Sequence, residues 1–109
     1  METIDSPTGA YFIQLTVWEA RASQWVHTPS VVQRQSLAVL LSFADPRWSL
    51  DQAHWLDATQ VHLRLRRYPG DHRPAQFQVW VDCASAQARI EEGPAVPLAG
   101  LEAALVARL

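Results

Sequence analysis

Apolar and polar side chains alternate in two stretches of this chain, the period of a strand with one face in a core and one in water. In the first, Tyr11, Ile13, Leu15 and Val17 fall on one side, and Phe12, Gln14, Thr16 and Trp18 on the other. In the second, Val61, Leu63 and Leu65 alternate with His62, Arg64 and Arg66. Pro69-Gly70-Asp71 marks a turn, and the return run places Phe77, Val79 and Val81 inward and Gln76, Gln78, Trp80 and Asp82 outward. This hairpin over residues 61–82 is the clearest pattern in the sequence. Residues 22–27 read as a strand paired to the first stretch, and residues 86–91 as a further short strand.

Elsewhere the spacing and the end signals predict helices. Thr28 can cap free backbone N–H groups, and Pro29 at a first helical position has no donor to lose. Val32, Leu37, Val39, Leu40, Leu41 and Phe43 supply an apolar side, so a helix is expected over about 29–44, ended by Asp45-Pro46. The run Leu37 to Phe43 also suits a buried strand, and the sequence leaves that choice open. Ser49-Leu-Asp-Gln52 fits a capping box, which predicts a short helix to about Asp57 with Trp48 and Trp55 on one side. Leu98, Leu101, Leu105 and Leu109 form one stripe of a closing helix over about 97–108. The expected fold is therefore α+β, a mostly antiparallel sheet of about three to five strands with the two main helices on one face. Residues 1–9, with Asp5, Ser6, Pro7 and Gly9, read as a flexible lead-in, and residues 10–109 as a single domain.

Composition narrows the chemistry more than it names it. The chain has 109 residues, 49% hydrophobic and 18% charged, with a formal net charge of -2. That is one domain with enough apolar content for a core. All nine basic residues are Arg, which excludes Lys-based Schiff-base chemistry and a Walker-type phosphate loop. The four glycines are too dispersed for a dinucleotide fingerprint. The choice of Arg points to a GC-rich bacterial genome, and it supplies planar forks suited to carboxylate or phosphate. A single cysteine, Cys83, rules out an internal disulfide and a Cys-x-x-Cys site, in keeping with a cytoplasmic setting. The N-terminus has no apolar run of a signal peptide, and the longest apolar stretch is far short of the ~20 residues that span a bilayer. No membrane partner and no cofactor are expected.

The charge is uneven. Residues 61–74 hold Arg64, Arg66, Arg67 and Arg73 against Asp71, whereas the segments on either side are acidic. If helices cover one sheet face, the other presents Trp18, His62, Arg64, Arg66, Tyr68, Gln78 and Trp80 together, and aromatics with Arg are the residues enriched at interface cores. Three readings of this face compete. It binds protein, either a second copy of the chain or a different partner, which makes the protein a non-enzymatic binding or regulatory module. It binds single-stranded nucleic acid, with bases stacked on rings and Arg against phosphate; the order of elements resembles RNA-recognition sheets, but their Gly-Phe-Gly-Phe run is absent and the net charge is negative. Or the chain's own residues cover it, and the rings are core filler.

Enzymatic readings find no catalytic set. His54, Asp57 and Asp51 on the expected short helix fall short of a complete metal site. Cys83 faces inward by alternation, as a small core hydrophobe does. His62 beside Arg64 is a base candidate with no partner. No Gly-x-Ser-x-Gly elbow occurs, and Glu91-Glu92 beside Gly93-Pro94 reads as solvated loop charge. Arg64, Arg66, Arg67 and Arg73 suit either an anion clamp or a charged edge that discourages aggregation. A small enzyme of unknown reaction is the remaining alternative.

Overall fold

The structure is a computed structural model that describes residues 2–21, 24–70 and 75–109. It is mostly β. Strands β1 (Glu2–Asp5), β2 (Tyr11–Arg21), β3 (Gln24–Gln33) and β4 (Val39–Leu41) form one antiparallel sheet in that order. Strands β5 (Trp48–Trp55), β6 (Gln60–Arg67), β7 (Phe77–Asp82), β8 (Gln87–Ile90) and β9 (Ala95–Pro97) form a second. A 3-10 turn (Leu98–Gly100) runs into the short helix α1 (Leu101–Val106). No helix among the described residues is long and apolar enough to cross a membrane.

The hairpin over 61–82 forms in the expected register, with Val61 opposite Val81, Leu63 opposite Val79 and Leu65 opposite Phe77, all of them buried. The pairing of 22–27 with the first strand is part of the longer β2–β3 hairpin, and 86–91 contains β8.

The α+β expectation fails: there are no two main helices on one face, and a second sheet takes their place. The predicted helix over about 29–44 is the end of β3, a turn, and β4. Residues Ser30 to Val32 extend a strand already rich in β-branched side chains, and Pro29 is tolerated because β4 pairs only with Val31 and Val32. The intervening turn closes with Leu37 N–H donating to the Gln33 carbonyl and Leu37 at a positive φ of 59°. Gln-Arg-Gln-Ser-Leu carries no Gly or Asn that would have announced such a turn.

The predicted short helix after Ser49 is β5. Its period is hidden by a bulge between Leu50 and Gln52, which adds one residue. Without it, Trp48 and Trp55 would point to opposite faces; with it, both turn inward, Trp48 fully buried between Phe43 and Phe77. Ser49 caps no helix: its Oγ accepts the His27 N–H from the other sheet at 3.0 Å. At the far end of β5, Trp55 Nε1 donates to the Ile4 carbonyl. β5 thus spans the first sheet from β3 to β1, and the two sheets enclose one core.

The closing helix is shorter than the expected 97–108. Leu98, Leu101 and Leu105 are buried in the core shared by both sheets, while Leu109 is not. The Glu102 carboxylate accepts the Ala44 and Asp45 N–H groups at 2.8 and 3.0 Å, pinning α1 to the loop between the sheets. Val17, expected inward, lies largely exposed where the β2–β3 hairpin overhangs the core.

Candidate functional site

With helix and first sheet both on the inner side, the outer face of the β5–β9 sheet is left without a covering element among the described residues. Pairing registers set its rows. His54 lies opposite His62, His62 opposite Trp80, and Trp80 opposite Arg89, one residue from each of four adjacent strands. A second row runs Gln52, Arg64, Gln78. Cross-strand neighbours on one face stand close enough for their side chains to interact.

Trp80 is held from both sides. The His62 ring lies 4.8 Å from it, centroid to centroid, and the Arg89 guanidinium carbon 5.8 Å, the two arriving from opposite neighbouring strands. Beside this stack Arg64 makes no ion pair with a described residue, and its Nε and the Nε2 of His62 are buried without a hydrogen-bond partner there. Arg66 is different: its Nε meets Asp51 at 3.1 Å, and Asp51 also accepts the Gln76 amide at 2.7 Å. Next to Trp80 and Arg89 lies a shallow concavity of about 240 Å³ that also touches Gln60, Asp82 and Gln87.

His62, Arg64, Arg66, Gln78 and Trp80 therefore share one half-buried to exposed face, as alternation predicts. Trp18 does not join them. It belongs to the β1–β4 sheet, where its Nε1 donates to Thr28 Oγ1 and to the Pro46 carbonyl, each at 3.2 Å. Tyr68 lies just past β6, where its N–H donates to the Arg47 carbonyl at 2.8 Å. Alternation tells which side of a strand a residue takes, but not which sheet the strand enters. Arg89 went unnoticed because β8 is short; its place two strands from His62 was the missing signal.

Of the four arginines read as an anion clamp or a charged edge, two lie beside acids of the chain. Arg66 has Asp51, and Arg67 lies 3.9 Å from the Asp45 carboxylate, which Arg47 also engages at 2.9 Å. Arg73 lies outside the described residues. The hydrogen bond from Arg47 holds the Asp45 carboxyl below its ordinary range. Asp57, once a metal candidate, accepts the Thr59 and Gln60 N–H groups and shapes the β5–β6 turn, which lowers its pKa. Among the described residues no three His, Cys, Asp or Glu side chains converge as a metal site. Cys83 is buried, and desolvation, with the Asp82 charge beside it, pushes its thiol up to about 11. Such a thiol is no nucleophile at neutral pH. Glu91 is not merely solvated: its Oε1 accepts the Gln78 N–H at 3.0 Å.

Comparison of the chain with family models, with curated proteins and with solved structures finds no match.

Proposed function

We propose that the protein is a non-enzymatic binding module, and that the outer face of the β5–β9 sheet docks a protein partner through an acidic patch. The observation that carries this is Arg64: an arginine without an acidic partner among the described residues, its Nε desolvated and unbonded, next to the His62–Trp80–Arg89 stack. A guanidinium without a carboxylate forgoes a charge-assisted pair, which a partner's carboxylate would supply to the part of Arg64 that reaches the surface. Aromatic and Arg anchors ringed by Gln52, Gln78 and Gln87 have the make-up of an interface centre with a polar rim. The unpaired cations favour a different, acidic protein over self-contact through this face, since a two-fold arrangement would set like charges together. The single cysteine, reduced and buried, suits work in the cytoplasm.

Single-stranded nucleic acid is the weaker reading. A base would have to compete for the Trp80 ring with His62 and Arg89, which already pack against it, and the net charge of -2 gives phosphate no general attraction. The test is an amide NMR titration with an acidic peptide and, separately, an oligonucleotide. Peptide-induced shifts confined to β6, β7 and β8, and weakened at least about tenfold by Arg64→Ala with Arg89→Ala, are expected. Shifts elsewhere, or tighter binding of the oligonucleotide on this face, would overturn the reading.

A further inference from the structure

We infer that the concavity beside Trp80 and Arg89 is a binding site for a small zwitterion, a free α-amino acid with an apolar side chain. This goes beyond the docking of an acidic protein at Arg64, although Arg89 borders both places.

Two rows of the outer face meet here. Gln60, Asp82 and Gln87 stand opposite one another across β6, β7 and β8, and His62, Trp80 and Arg89 form the next row. Asp82 and Arg89 are therefore diagonal neighbours on adjacent strands, close enough for long side chains to meet. They do not meet: the ion pairs among the described residues include neither. The Arg89 guanidinium lies over the Trp80 ring instead. The Asp82 carboxylate is fixed by its own turn, where Oδ1 accepts the Ala84 and Ser85 N–H groups at 3.0 and 3.3 Å, and this leaves Oδ2 for another donor. The concavity of about 240 Å³ is thus bordered by a cation and an anion that do not neutralise each other.

Charge complementarity selects the ligand. A simple anion would satisfy Arg89 but be repelled by Asp82, and a simple cation would meet the reverse. An ammonium and a carboxylate on one carbon answer both charges at once, and Arg89 need not leave Trp80. Collapse of Arg89 onto Asp82 would gain little by comparison, since it exchanges a ring contact for an exposed ion pair, and both are weak. The rest of the border is uncharged. Gln60 and Gln87 supply amides, while Trp80 and Ala95 offer apolar surface to the ligand's side chain. The volume falls below the ~300 Å³ at which pockets for drug-sized ligands begin, which suits a molecule the size of one amino acid.

An amide NMR titration with L-leucine tests this, with N-acetyl-L-leucine and L-leucinamide as probes that lack the ammonium and the carboxylate in turn. L-leucine is expected to give saturable shifts in β7, β8 and the turn between them, and each analogue to bind at least about tenfold more weakly. Asp82→Asn removes the charge but keeps an oxygen for the Ala84 and Ser85 N–H groups. It and Arg89→Gln should each weaken L-leucine at least about tenfold. The analogue series uses the wild-type chain, so it decides the matter even if a variant is destabilised. Arg64→Ala should leave L-leucine binding unchanged, which separates this site from the contact with an acidic protein. No saturable shifts, an analogue that binds as tightly as L-leucine, an affinity indifferent to either charge substitution, or one abolished by Arg64→Ala would each overturn the inference.

Discussion

Cys83 shows how one residue's surroundings decide its chemistry. Its place at the end of β7 follows from alternation, and its N–H donates to the Thr59 carbonyl, which fixes the chain as it leaves the sheet. Burial disfavours the thiolate, and Asp82 adds like-charge repulsion, so the folded-state pKa of about 11 lies above the ordinary value of 9.0. A raised folded-state pKa means the folded chain holds its proton more tightly than the unfolded one. The resulting stability is complete below about pH 9 and is lost as pH rises toward 11. The chain has no lysine to titrate in the same window. Urea midpoints measured between pH 8 and 11 should fall, and should fall less in Cys83→Ala. A thiol reagent at pH 8 should leave the native protein unmodified and react fully once it is denatured.

Among the elements, the most readable was the β6–β7 hairpin, where strict alternation, a Pro-Gly turn and facing valines agree. The least readable were those whose signal sits in backbone geometry. The β5 bulge turned an odd seven-residue spacing of tryptophans into a shared inward face, and the same spacing passes for a helix when read along the chain. The β3–β4 turn is closed by Leu37, a residue that propensity places inside helices and not at a positive φ. Among the described residues Leu37, Ala86 and Glu91 hold such a φ without being glycine, and they should not respond alike to glycine. The Leu37 side chain is apolar and exposed, so Leu37→Gly should be neutral to about 1 kcal/mol stabilising, because it removes a left-handed strain. Glu91→Gly also relieves strain, but it strips the Gln78 N–H of its acceptor at 3.0 Å and should cost about 1 kcal/mol net. Thermal melts of the two variants, taken at low protein concentration, give opposite signs if side-chain bonding outweighs backbone strain at Glu91.

For the molecule as a whole, the decisive fact is that two sheets share one core. The inward residues of β2, β6 and β7 were legible as apolar positions, but nothing in their spacing says that half of them face a second sheet across from the first. Besides the core, the halves are joined by β3 against β5 with the Ser49 and Trp55 bonds, by the 3-10 turn against β4, and by α1 against β9. Leu101 and Leu105 are completely buried in the common core, although the helix bearing them is only six residues long and could not stand alone. The helix is thus held by what it plugs, and the plug in turn holds both sheets. Leu105→Ala should cost about 2–5 kcal/mol, a large part of the ~5–15 kcal/mol that a domain of this size commands. Because the core is common, that loss belongs to the whole domain and not to the neighbourhood of the helix. Amide exchange should show protection falling by the same factor in β2–β3 as in β6–β7, with one cooperative unfolding transition retained. Loss of protection confined to β4, β9 and α1 would mean that the sheets are stabilised separately, and that the helix is an appendage to a core complete without it.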